Sequence, residues 1–140
     1  MGRSENTRDV GRDHAQKYLT KAREFSAVAE AALAEHRWNA AGLNAIHAGI
    51  SAADAAVVAS SGLRSSSKDH STAADLLRDS VKDATASQAR QLAGLLGMKN
   101  TVEYEQRLVT ETEARSLVAQ SSRLVRWSAK VVASRLDSDA

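Results

Sequence analysis

The stretch Trp38-Asn39-Ala40-Ala41-Gly42-Leu43-Asn44-Ala45-Ile46-His47-Ala48-Gly49-Ile50-Ser51-Ala52-Ala53-Asp54-Ala55-Ala56-Val57-Val58-Ala59 decides the fold. At helical spacing Leu43, Ile46, Ile50 and Val57 form one apolar face, and Ala41, Ala45, Ala48, Ala52 and Ala55 form another. A helix that is apolar nearly all round is central, with other helices packed about it. Its small-residue face permits close backbone approach, by the preceding helix or by a second subunit. The predicted helix runs from about Arg37 to Ala59.

The rest of the chain agrees with a helical reading. Alanine supplies 27 of 140 residues and proline none, so the best helix former is abundant and the strongest breaker is missing. At this length one domain and one core are expected. Upstream, Tyr18, Ala22, Phe25, Ala29 and Ala32 alternate steps of four and three, which predicts a first helix from about Asp13 to Glu35. Residues 1–12 are polar, lack an apolar period and read as a flexible arm. Downstream, Ser60 to Ser67 is serine-rich and reads as a loop. A third helix is expected from near Asp69 through Ala73, Leu76 and Leu77. Thr85 with Gln88 has capping-box spacing and opens a fourth helix, with Gly97 as its stop. Met98 to Val109 is less regular. Thr110 with Glu113 is a second capping box, opening a long fifth helix to about Leu136, with 137–140 as a tail. The sum is an all-α bundle of four or five helices joined by short loops over residues 13–136.

Several chemistries are excluded. Without cysteine there are no disulfides, cysteine-held metals or thiol nucleophiles. His14, His36, His47 and His70 show no metal-ligand spacing, and neither a phosphate-binding glycine loop nor a serine elbow occurs. No metal or cofactor is therefore expected. The net charge of +2 does not by itself identify a polyanion partner. The sequence shows neither a spanning apolar run nor a signal segment, so a cytoplasmic protein without membrane association is the expectation.

Two constellations remain. The blocks Ala15-Gln16-Lys17-Tyr18-Leu19-Thr20-Lys21-Ala22, Trp38-Asn39-Ala40-Ala41, Ile46-His47-Ala48-Gly49-Ile50 and Lys99-Asn100-Thr101-Val102-Glu103-Tyr104-Glu105, with a Gly62 loop reaching Asp69-His70, come in a fixed order ahead of a long last helix. In that order the chain resembles the HEPN family, the higher-eukaryote and prokaryote nucleotide-binding domains, over about residues 13–133. The resemblance implies a four- or five-helix up-and-down bundle that forms a homodimer and acts in toxin–antitoxin, defence or stress systems. Active members are metal-independent RNases with an arginine, four to six residues and a histidine, and the toxins are held by a nucleotidyltransferase-like antitoxin. Here Lys99 stands for the arginine, followed by Asn100, and Tyr104 stands for the histidine. A tyrosine, with an ordinary pKa of about 10, is a poor base at neutral pH, and lysine lacks the bidentate fork of arginine. The resemblance therefore implies a binding or regulatory protein for RNA, a nucleotide or a protein partner, with weak or no RNase activity. The plain structural alternative has Lys99 and Asn100 ending helix 4 and Tyr104 packing between helices.

The second constellation is Arg64-Ser65-Ser66-Ser67-Lys68-Asp69-His70, an arginine and a histidine at suitable spacing but ahead of helix 3. It makes Arg64 and His70 the alternative catalytic pair, or an anion-binding loop, against the plain reading of a helix cap. His47 is expected to be a buried histidine bonded to a neighbouring helix. Trp38 and Trp127 are expected as core or interface anchors. Arg123, Arg126 and Lys130 form a basic ridge on helix 5 that meets either RNA or only water. An active RNase toxin and a purely structural helical adaptor are the competing functions.

Overall fold

A computed structural model describes residues 7–65, 70–82 and 86–137. Five helices carry the fold: α1 (Ala15–Ala34), α2 (Trp38–Ser61), α3 (His70–Ser80), α4 (Ala86–Tyr104) and α5 (Glu111–Asp137). Helix α2 packs against each of the other four, as its apolar circumference requires. Around it α1 and α4 both adjoin α5, and α3 lies on α4. By length and composition α2 could also cross a bilayer, but in this bundle most of it is buried.

The faces of α2 are not the ones its large residues suggest. Ala41, Ala45, Ala48, Ala52 and Ala55 are buried and Ile46 is fully so, whereas Leu43 and Ile50 are only half-buried. The small side chains let backbones approach closely. At Gly49 a Cβ would collide with Leu95 of α4, and at Gly42 it would meet Leu117 and Val109 at 3.4 and 3.6 Å. Helix α5 answers with a stripe of Ala114, Leu117, Val118, Ser121, Leu124, Val125, Ser128, Val131 and Val132, all buried at steps of three and four. The hydroxyl of Ser128 donates to the carbonyl of Ala52 at 2.6 Å, a buried polar tie between the two central helices.

The helix ends have local causes. Thr110 caps α5: its Oγ1 accepts from the Glu113 N–H at 3.1 Å, and Glu113 accepts from the Thr110 N–H at 3.0 Å, the reciprocal pair read from the spacing. Helix α1 ends with His36 at φ 61°, where the His36 N–H bonds Leu33 and the Arg37 N–H bonds Ala32. That is a Schellman ending with histidine in the left-handed position usually given to glycine. The His36 ring stacks on Trp38, with centroids 5.0 Å apart. Both tryptophans lie partly buried against the chain's own core.

Three differences from the sequence reading have physical reasons. Helix α4 runs through Gly97 to Tyr104, because packing of Met98 and Val102 against the core and an ion pair on the last turn hold it beyond the glycine. Residues 7–12 form structure where an arm was expected. Thr7–Asp9 (β1) pairs antiparallel with Leu63–Ser65 (β2), inside the expected loop, and Arg12–His14 make a 3-10 turn. The joint is Gly62, left-handed at φ 74° behind α2, whose carbonyl accepts from the N–H groups of Val10 and Gly11 at 2.9 and 3.2 Å. The expected cap at Thr85, the Ser66 to Asp69 segment and the tail beyond 137 lie outside the described residues.

Candidate functional site

Only one line of α2 is open between Ala40 and Ala59. Ala40, Leu43, Asn44, His47, Ile50 and Asp54 are half-buried, and every other position in that interval is buried. These six recur at steps of three and four, so they make one stripe, on the side of α2 away from α5. Helices α1 and α4, each packed on α2, flank this side. His47 and Asp54, the two titratable groups of α2, both lie on the stripe, two turns apart.

At His47 three helices meet. From α4, Glu103 places Oε1 3.2 Å from Nε2 of His47 and Oε2 3.3 Å from Nζ of Lys99. The α1 residue Phe25 sets its ring centroid 5.7 Å from that of His47. Burial alone would raise the Glu103 carboxyl. Hydrogen bonds from Lys99 and Tyr104 and the charges of Lys99 and His47 outweigh it, and its pKa lies below the ordinary glutamate value. The vertical order decides what a ligand would meet: the Glu103 side chain is 14% exposed, those of His47 and Lys99 39% and 36%. The carboxylate is underneath and the two nitrogen groups stand at the surface. Lys99 gives one of its three N–H donors to Glu103 and keeps two for an anion.

The sequence-predicted residues divide accordingly. Lys99 belongs to this group, and Tyr104 stands at its edge, where its hydroxyl favours the Glu103 carboxylate; its ring is 74% exposed and does not pack between helices as the plain alternative had it. Asn100 is exposed on the same helix and takes no part in these bonds. His47 is bonded to a neighbouring helix as expected, but it is half-exposed instead of buried. Glu103, which gathers the group, went unread because it stands beyond Gly97 and its partner is 56 positions away. The one available signal was its i, i+4 spacing from Lys99.

Arg64 goes elsewhere. From β2 its Nε lies 3.3 Å from Oδ2 of Asp54, without hydrogen-bond alignment, and its guanidinium covers the Tyr18 ring at 5.5 Å. Asp54 is 14% exposed and Arg64 38%. Burial pushes the Asp54 carboxyl up to about 6, against the opposing charges of Arg64 and Lys21. His70 opens α3, and its side chain lies outside the described residues. On α5, Arg123, Arg126 and Lys130 are exposed. Among the described residues no three His, Asp or Glu side chains gather to hold a metal ion. No family model, curated protein or solved structure matches the chain.

Proposed function

We propose that the protein is a HEPN-like helical domain that binds the phosphate of a nucleotide or of RNA at Lys99 and His47, and that it cleaves RNA weakly or not at all. The observation that carries this reading is the layering at Glu103: a carboxylate 14% exposed beneath an ammonium and an imidazole that are 36% and 39% exposed, at the segment where the resemblance puts the phosphate-handling pair. A lysine holds phosphate as a point charge, and a neighbouring imidazole adds a donor. A tyrosine is a poor proton acceptor at neutral pH, and Tyr104, 74% exposed, stands where the resemblance puts the base, which supports binding over cleavage. In this reading the protein works as a homodimer in a prokaryotic stress, defence or toxin–antitoxin module, with a nucleotidyltransferase-like protein as a possible partner.

Calorimetry with uridine 5′-monophosphate tests it. Wild type should bind, and Lys99→Glu should weaken binding at least about tenfold, a difference of about 1.4 kcal/mol. Equal affinity in Lys99→Glu and His47→Ala would overturn it. Incubation of a labelled single-stranded RNA with chelator should leave most of it intact.

A further inference from the structure

The layering at Glu103 occurs a second time on the same stripe. Seven residues further along α2, about 20° round and about 10.5 Å up the helix, Asp54 is the less exposed carboxylate, at 14%, and Arg64 is the cation above it, at 38%. Lys21, exposed on α1, adds a second positive charge that acts on Asp54. Between the two groups lie Ile50 of α2 and Phe25 of α1, both half-buried and apolar. The stripe thus presents cation, apolar surface and cation in sequence, each cation backed by a carboxylate that an approaching ligand does not reach first.

We infer that the open stripe of α2 is one elongated site, and that its ligand is a single-stranded oligonucleotide contacting Lys99 and His47 with one phosphate and Arg64 and Lys21 with another. The inference rests on the proposed phosphate binding at Lys99 and adds the second end. Charge complementarity selects the ligand: two anionic groups set about two helical turns apart match a phosphodiester chain, whereas a single nucleotide reaches one end. A base between the phosphates would lie over Ile50 and the Phe25 ring, an apolar surface that accepts any base face.

A length series separates the two claims. Uridine 5′-monophosphate, pUpU and pUpUpU are titrated into wild type, Lys21→Glu, Arg64→Gln and Lys99→Glu, with melting curves to confirm folding. Wild type should bind the longest ligand at least about tenfold more tightly than the mononucleotide, and Lys21→Glu and Arg64→Gln should remove that gain while mononucleotide binding stays. Lys21 is exposed, so its variant remains informative even if loss of Arg64 loosens β2. A wild type that binds all three lengths equally, or a gain that survives Lys21→Glu, overturns the elongated site and leaves the phosphate reading standing. A mononucleotide affinity that Lys99→Glu does not change overturns the phosphate reading itself.

Discussion

Gly49 of α2 and Leu95 of α4 share a single crossing point: the space a Cβ would need at Gly49 is filled by Leu95, which is fully buried. Gly97, two residues on from Leu95, has nothing within 4 Å of the same added atom. The two glycines should therefore respond oppositely to alanine. Gly49→Ala overpacks the crossing and should cost about 1–3 kcal/mol. Gly97→Ala removes a helix-interior glycine and should add about 0.5–1 kcal/mol. Chemical denaturation of both variants checks the pair of signs.

Asp54 gives a pH dependence with a definite sign. Its folded pKa of about 6 is above the ordinary 3.8, so its contribution is fully present below 3.8 and is lost as pH rises through 6. At about 1.4 kcal/mol per unit the loss is about 3 kcal/mol. Asp54→Asn has no proton to lose. Its stability relative to wild type should rise between pH 4 and pH 7, and a gap that stays constant across that range would contradict the assignment.

The start of α5 titrates the other way. Hydrogen bonds from Arg107 and from the Thr110 backbone hold Glu113 down to about 2. A depressed carboxylate contributes fully above its ordinary 4.5 and loses that contribution as pH falls toward 2. The melting difference between wild type and Glu113→Gln should close over that acid range. Thr110→Ala, which removes the cap itself, should cost about 1 kcal/mol at neutral pH.

At the proposed site the chemistry can be restored by design. Lys99→Arg with Tyr104→His places a bidentate guanidinium and a titratable imidazole where a lysine and a tyrosine stand. Cleavage of single-stranded RNA without metal should rise above that of wild type. An unchanged rate in a folded double variant, with nucleotide binding retained, would show that this segment binds but does not catalyse.

What could be read from the sequence depended on range. The Thr110 and Glu113 box was legible because both partners lie within one turn, and the central place of α2 was legible because its composition leaves no polar side. Its open stripe was not. When alanine and isoleucine alternate around a helix, periodicity does not say which of them faces the neighbours, and close backbone approach put the alanines inside. The β1 and β2 pair escaped because three-residue strands carry no alternation to detect. Lys99 and Tyr104 are named together by the resemblance, but Glu103 between them acquires its role only when α4 is laid beside His47.

Arg12 bonds the carbonyl of Ala59 at 2.8 Å and that of Arg135 at 3.5 Å, so one guanidinium near the start of the chain serves the last turns of both α2 and α5. The second of these partners is 123 positions away. During synthesis on the ribosome, α1 and α2 can pair as soon as both have emerged, but this clasp has to wait until the last turns of α5 have emerged as well. Arg12 is thus made before both of its carbonyl partners and tied to α5 only after them, and a chain shortened before Arg135 would keep the strand pairing and the Ala59 bond while losing this tie to α5.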